Sequence, residues 1–243
     1  MLDPRYLPVL RTFVRTPVLL TFDYDGTLSP IALTPEKARL PATTRRLLRQ
    51  VATHYSVVVI SGRALADISE RVATIGVKHV FGNHGLEWSG ATSRPRAQVH
   101  KWVDQLREQL ARQPGVVIED KVHTLSVHYR SAPDHERALA FILPVVRKLP
   151  HVRVISGAAA VNLLPDHGAN KGVALRRALE LSGCNKAIYV GDDETDEDAF
   201  SALESDTLLG IRIGASAASR ARYHLSSQES IDLLLQQLLD LRS

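Results

Sequence analysis

Apolar and polar positions along this chain change period in a way that marks out alternating strands and helices. Val18 to Tyr24 reads as a strand, Pro41 to Thr53 as a helix and Ser56 to Ser61 as a continuous apolar strand, followed by helix Leu65 to Ile75 and strand Val77 to Phe81. Apolar strands alternating with helices are expected in a parallel sheet covered on both faces. The rhythm returns near the end, with helix Asn170 to Leu181, strand Ala187 to Val190, helix Glu194 to Leu203 and strand Thr207 to Ile213. Between about Glu87 and Pro165 it changes. There two amphipathic helices, Val99 to Gln113 and Asp134 to Leu149, are interleaved with strands such as Val116 to Ile118 and the alternating TLSVHYR. The pattern predicts an α/β fold, a doubly wound Rossmann-like core with an inserted α+β module. The boundaries place the core in residues 1–87 and 166–243 and the insert in 88–165.

Composition narrows the classes without naming a function. With 243 residues, 44% of them hydrophobic, the chain can bury one large core or two modest ones. The formal charge of +4 comes from cations scattered among acids, and only 5% of residues are aromatic, so nucleic acid is not an expected partner. No apolar run approaches the roughly 18 residues of a membrane span. Met1 to Arg15 carries Pro4, Pro8 and charges where a signal peptide would be apolar, so no membrane and a cytoplasmic location are expected. The single cysteine, Cys184, excludes an internal disulfide framework and a multi-thiolate metal site; between Gly183 and Asn185 it reads as a buried or incidental thiol at a helix-to-strand turn.

The chemistry starts at Leu19 to Pro30, LLTFDYDGTLSP, where an apolar strand runs into Asp23, Asp25 and Gly26. Strand alternation starts the two carboxylates on one side, and the glycine allows a sharp turn beside them. One could attack phosphorus while the other handles the leaving-group proton, although an acidic strand end before a turn is also ordinary solvated surface. Strand VVVIS delivers Ser61, then Gly62 and Arg63, at a helix start suited to phosphate oxygens; taken alone, Ser61 reads as a helix cap. Asn170-Lys171-Gly172 opens another helix, and alone Lys171 reads as a surface lysine. IYVGDDETDEDAF puts Asp192, Asp193 and Asp196 after a buried strand, with more acids than helix capping requires.

All four segments fall at predicted strand ends or helix starts, on the rim where open α/β sheets bind ligands. A carboxylate approaching a phosphate dianion is repelled, so phosphoryl transfer at this rim needs positive charge and in-line positioning. Mg²⁺ suits an all-oxygen set: Asp23, Asp192, the backbone carbonyl of Asp25, the substrate phosphate and waters. Lys171 would neutralise the remaining charge.

DYDGT, the strand ending in Ser61, Lys171 and GDDETDEDAF resemble the four motifs of the haloacid dehalogenase (HAD) superfamily. FDYDGTLSPI, VVVISGR, GNHGLE at Gly82 to Glu87, EDK at Glu119 to Lys121, LSVHYR, NKG and GDDETDEDAF together resemble the trehalose-6-phosphate phosphatase family over nearly the whole chain. The resemblance implies a HAD core with an inserted cap, Mg²⁺ as cofactor, and hydrolysis of trehalose 6-phosphate to trehalose and phosphate. It makes Asp23 the nucleophile that forms an aspartyl-phosphate and Asp25 the acid that protonates the departing sugar oxygen and later activates water. Asp23, the Asp25 carbonyl and Asp192 would hold the metal, with Asp193 and Asp196 supporting its shell, and Ser61 and Lys171 would grip the phosphate. Gly62, Arg63, Asn83, His84 and Glu87 on the core would serve substrate binding. Glu119, Lys121, His128 and Arg130 on the cap would face the disaccharide, with the cap closing over it to exclude water. Functional coupling to a trehalose-6-phosphate synthase is implied as well.

Plainer roles stand beside several of these. His128 and Arg130 share one face of an alternating strand and read equally as a solvated polar face. Glu119 and Lys121 also share a strand face and read equally as an exposed Lys–Glu pair, His84 reads as a loop-satisfying residue, and Glu87 as a residue of the core-to-cap junction. The family commonly shows G-K-x-x-x-E-x-x-P before the lysine motif, whereas this chain reads GAAAVNLLP, with Ala158 and Ala159 in the basic region and Asn162 in place of the glutamate. An amide hydrogen-bonds but brings no charge, so the sugar contact expected there changes character. Two other readings therefore stay open: a HAD phosphatase for a different sugar phosphate, and a non-catalytic sugar-phosphate sensor or phospho-accepting regulatory domain. Asp25 argues for turnover, because a long-lived aspartyl-phosphate is better served without a general acid two residues along.

Overall fold

The computed structural model describes residues 1–32, 34–89, 91–92, 96–157, 159–166 and 170–242. In chain order the elements are α1 (Leu7–Val14), β1 (Val18–Phe22), α2 (Ala42–His54), β2 (Ser56–Ile60), α3 (Leu65–Val72), β3 (His79–Gly82), β4 (Glu87–Trp88), β5 (Ala91–Thr92), α4 (Arg96–Leu110), β6 (Val117–Asp120) and β7 (Leu125–His128). There follow α5 (His135–Val146), β8 (Val152–Gly157), β9 (Ala160–Pro165), α6 (Lys171–Ser182), β10 (Lys186–Gly191), α7 (Asp196–Phe200), β11 (Leu208–Ile213), β12 (Tyr223–Leu225) and α8 (Ile231–Asp240). The chain divides into two compact units, Met1–Gly90 with Ala169–Ser243, and Ala91–Gly168.

In the first unit the strands run in the order β12-β11-β10-β1-β2-β3-β4. All neighbours are parallel except β3 and β4, which form an antiparallel pair. Alternation in β1 sends Leu20 and Phe22 to one face, against Leu48 and Val51 of α2 and Leu234 and Leu238 of α8. Leu19 points to the other face, with Val58, Ala187 and Tyr189, against Leu175 and Ala178 of α6 and Phe200 of α7. Apolar residues at both strand parities force helices onto both faces, which is the doubly wound α/β core. Register then fixes the rim: Phe22 pairs with Val190, and Ile60 with Phe81. Asp23, Ser61, Asn83 and Asp192 consequently leave the same ends of neighbouring strands.

The second unit is α+β, with an antiparallel sheet in the order β6-β7-β9-β8. Leu125 and Val127 of β7 and Val161 and Leu163 of β9 pack on Trp102 and Leu106 of α4 and Ile142 and Val146 of α5. Only one sheet face is covered by this core, so Ser126, His128 and Asn162 fall at the alternate positions. Several boundaries differ from the periodicity. Helix α4 begins at Arg96 and ends at Leu110, while α7 is confined to Asp196–Phe200. The amino-terminal segment, to which the periodicity assigned no element, forms α1 with Pro8 in its first turn, where a missing N–H costs nothing.

Candidate active site

The loop after β1 is built around one glycine. Gly26 has φ +86°, and a Cβ there would collide with the Asp192 carboxylate, so the turn and the approach of the two acidic loops both require glycine. Asp23 N–H continues the sheet by donating to the Val190 carbonyl at 2.9 Å, which anchors the first acid before the chain turns. Thr27, a residue the sequence reading passed over, donates its hydroxyl to Asp192 Oδ1 at 2.9 Å.

Lys171 sits at the centre, and its 1% exposure rules out the surface-lysine alternative. Asn170 caps α6 by accepting from Val173 N–H, which fixes the first turn that carries the lysine. The Lys171 ammonium donates to Asp23 Oδ1 at 2.9 Å and Asp196 Oδ1 at 2.7 Å, and lies 3.6 Å from Asp193. Asp196 also accepts from the Tyr189 hydroxyl at 2.6 Å and from the N–H groups of Asp192 and Asp193, at 2.9 Å each. Asp193 in turn accepts from the Thr195 hydroxyl and from Thr195 and Asp196 N–H, folding the GDDETD loop on itself. Tyr189 is a supporting residue the motif reading missed. Strand period was the available signal, since it puts Tyr189 two residues before Gly191 on one face of β10.

Three carboxylates thus share one ammonium group, and a fourth, that of Asp192, lies beside those of Asp23 and Asp196. Burial pushes Asp23 well above the usual carboxylate range; Lys171 opposes this, and Asp196, Asp192 and Asp193 reinforce it. Burial and the neighbouring acids Asp196 and Asp193 raise Asp192 to about 7, and burial raises Asp196 to about 6 against the pull of Lys171. For Asp193 burial is overcome by Lys171 and the Thr195 and Asp196 hydrogen bonds, and its carboxyl is held well below the ordinary value. Burial works against the Lys171 charge, yet Asp193, Asp196 and Asp23 together raise it. Oxygens of Asp23, Asp192 and Asp196 lie within 4.8 Å of one another. A buried, all-oxygen group with this excess of negative charge fits a hard divalent cation.

The Asp25 side chain turns away from this cluster. Both its oxygens are held by Arg63, Nε to Oδ2 and Nη2 to Oδ1, each at 2.6 Å. Ser61 is buried, and its hydroxyl accepts from Arg63 N–H at 3.2 Å. The first-turn N–H of Leu65 in α3 is met by Glu87 Oε2 at 2.8 Å, so Glu87 and not Ser61 caps that helix. The same Glu87 oxygen accepts from Asn83 Nδ2 at 2.8 Å. Asn83 and His84 both have positive φ, +46° and +57°, a conformation that costs a non-glycine residue about 1–2 kcal/mol. Hydrogen bonds from Asn83 N–H to the Arg63 carbonyl (2.7 Å) and from His84 N–H to the Ser61 carbonyl (2.9 Å) hold the turn. His84 packs on Gly62, where a Cβ would meet its ring.

The remaining residues of interest lie in the second unit. His128 Nε2 is 2.7 Å from Glu119 Oε2, and Lys121 Nζ is 3.7 Å from the same oxygen. Strand β7 stops at His128, and Arg130 lies in the following turn, where its carbonyl meets His135 at 2.9 Å; the expected shared strand face of His128 and Arg130 is therefore corrected. Lys121 likewise follows the end of β6. Asn162 pairs across the sheet with Ser126 and accepts its hydroxyl at 2.6 Å. Ala159 occupies the β8–β9 turn at φ +54°, and Ala158 lies outside the described residues.

Comparison with known proteins bears on this arrangement. A family model described as Trehalose-phosphatase matches residues 21–231. A trehalose-phosphate phosphatase of Mycolicibacterium paratuberculosis is 35% identical over 79% of this chain and 53% of its own length, and one of Mycobacterium leprae is 33% identical over 79% and 49%. The chain spans about half the length of these curated relatives. Among solved structures, the C-terminal domain of the C. albicans trehalose-6-phosphate phosphatase matches with a TM-score of 0.83 at 24% identity, covering 96% of each chain. The Aspergillus fumigatus trehalose-6-phosphate phosphatase matches at 0.66 and 26%, over 95% of this chain and 96% of that one. With its motif-bearing loops gathered on one rim of a Rossmann-like core and the family match running through both units, this chain belongs to the trehalose-phosphatase family.

Proposed function

We propose that the protein hydrolyses trehalose 6-phosphate to trehalose and inorganic phosphate through an aspartyl-phosphate on Asp23, with Mg²⁺ held by Asp23, Asp192 and the Asp25 carbonyl. The observation that carries this reading is the buried Lys171 ammonium shared between Asp23 and Asp196, beside Asp192. When bound, the metal supplies the positive charge that ionises the acids and offsets the phosphate dianion. Lys171 occupies Asp23 Oδ1, which leaves Oδ2 as the oxygen for attack on phosphorus. As the P–O bond to the sugar breaks, Asp25 gives its proton to the departing oxygen. It then takes a proton from the water that attacks the aspartyl-phosphate, releasing phosphate and restoring Asp23. Ser61 is assigned to a phosphate oxygen, and Asp193 and Asp196 to orienting Lys171 and the acidic loop.

Recognition of the sugar is proposed for Arg63 and His84 in the first unit and for Glu119, Lys121, His128, Arg130 and Asn162 in the second. Asn83 and Glu87 are given a supporting part, since they bond each other and the α3 amino terminus. A cytoplasmic site of action and a synthase that supplies the substrate belong to the same proposal. Among the described residues no helix is long and apolar enough to cross a membrane. Asn162, an amide bonded to Ser126, is the observation that favours testing a second reading, another sugar phosphate as substrate.

The test is phosphate release across a panel of hexose and disaccharide phosphates with added Mg²⁺. Trehalose 6-phosphate is expected to give the highest kcat/KM, and chelation of the metal to abolish turnover. A clear preference for another sugar phosphate retires the trehalose assignment, and binding without phosphate release makes the protein a sensor.

A further inference from the structure

The Arg63 guanidinium that clasps Asp25 is itself the first rung of a ladder of alternating charge. Arg63 Nη1 donates to Asp67 Oδ2 at 2.7 Å, and Asp67 Oδ1 accepts from Arg71 Nε at 2.8 Å. Arg71 Nη1 ends the series on the Ala38 carbonyl at 2.6 Å. Tyr24, the residue between the two aspartates of the DYD motif, lies beneath both cations, its ring centre 5.5 Å from the Arg63 guanidinium carbon and 6.0 Å from that of Arg71. The Tyr24 hydroxyl also reaches the Ala38 carbonyl, at 3.3 Å. Asp67 and Arg71 sit one turn apart on α3 and Arg63 just precedes the helix, so the ladder runs from the catalytic rim along α3 to the loop at Ala38.

Surface pairs at this spacing are ordinarily weak helix staples. This series differs because of what its inner end holds. A guanidinium is a planar fork, and a carboxylate gripped by two of its N–H groups takes its orientation from the fork. A carboxyl that carries a proton on one oxygen still accepts from Arg63 on the other, so Asp25 stays tethered to Arg63 through one bond when protonated and through both when ionised. Tilting Arg63 therefore tilts Asp25.

We propose that Asp67 and Arg71 are positioning residues that act through Arg63 to aim the Asp25 carboxyl at the departing sugar oxygen. The inference rests on the assignment of Asp25 as the acid. It predicts an effect that depends on the leaving group: a sugar alkoxide needs a proton as it departs, whereas p-nitrophenolate leaves without one.

The experiment compares kcat/KM for trehalose 6-phosphate and for p-nitrophenyl phosphate in the same preparation, so that any unfolded fraction cancels from the ratio. In Asp67→Asn an NH₂ replaces one acceptor oxygen and faces a guanidinium. The ratio is expected to fall about tenfold, a part of the ~10²–10⁴-fold that a positioned acid supplies. Arg71→Ala, one rung further out, is expected to lower the ratio by less. Combined with Asp25→Asn, Asp67→Asn should lower it no further, because the group it aims is gone. An unchanged ratio in Asp67→Asn, or a further fall in the double variant, overturns the ladder while leaving the phosphatase reading standing. Wild-type protein that hydrolyses neither substrate overturns that reading and the ladder with it.

Discussion

The two units each hold carboxylates beside cations, and the same side-chain chemistry comes out differently in them. In the first unit Lys171, Asp23 and Asp196 are 1%, 5% and 0% exposed, and three acids, Asp23, Asp193 and Asp196, share one ammonium. In the second, Glu119 is 41% exposed with His128 and Lys121 both beside it. Burial raises Asp23, Asp192 and Asp196, while the hydrogen bond from His128 lowers Glu119 against partial burial, with help from Lys121. Burial is the first cause of the upward shifts, and the surplus of acids over ammonium groups adds to it. The core cluster is short of positive charge, with Asp23, Asp192, Asp193 and Asp196 gathered near one lysine, whereas in the second-unit cluster Glu119 has Lys121 beside it.

The largest test of that contrast removes a lysine from each cluster. Lys171→Met strands buried acids without their ammonium, and removing one partner of a buried ion pair costs about 3–5 kcal/mol. Lys121→Met removes a longer, partly solvated contact of 3.7 Å and should cost about 1 kcal/mol or less. Urea unfolding of both variants at pH 8 measures the difference. Equal losses would show that burial does not separate the clusters.

A second, smaller effect adds charge instead of removing it. Mg²⁺ that binds the folded core raises stability by about 2.7 kcal/mol at a hundred times its Kd, seen as a higher unfolding midpoint. Metal binding requires the acids ionised, and Asp192 titrates at about 7, so affinity should fall as pH drops below that value and binding near it should release protons. Asp192→Asn should remove most of the increment, and Glu119→Gln none of it. Stabilisation that survives Asp192→Asn would place the cation elsewhere.

This imbalance also explains which parts of the site were legible in the sequence. Asp23, Lys171 and Asp192 each follow an apolar strand or open a helix, so periodicity alone puts them on one rim. The alternation that started Asp23 and Asp25 on one side stops being a guide at Phe22, where β1 ends; Asp23 goes to Lys171 and Asp25 to Arg63. Glu87 as the cap of α3, Tyr189 beneath Asp196 and the Asp67–Arg71 rungs depend on contacts between elements or on the path of α3 beside Tyr24. Strand period places Tyr189 and four-residue spacing pairs Asp67 with Arg71, but no local pattern names the groups they meet in other elements. The second unit was readable as α+β because its helices are amphipathic, but strand ends at His128 and Asp120 are set by turns, and these moved Arg130 and Lys121 off the faces that alternation gave them.

The smallest expected effect lies in the second unit and runs with pH. The carboxyl of Glu119 is lowered in the folded protein, first by the hydrogen bond from His128 and then by Lys121, with burial opposing. A lowered folded value means that the ion stabilises the fold above the ordinary carboxylate range and that this contribution disappears as pH falls through the folded value. Because Glu119 is two-fifths exposed, solvent screening limits the gain to about 1 kcal/mol or less. Glu119→Gln should therefore be slightly less stable than the parent at pH 6 to 7, with the deficit shrinking as pH falls below the ordinary carboxylate range, as read from urea midpoints along that pH series. A deficit that persists undiminished in acid would mean that packing or amide geometry, and not the charge beside His128, is what the substitution disturbs; the contrast between a balanced and an unbalanced cluster would then lose its second member.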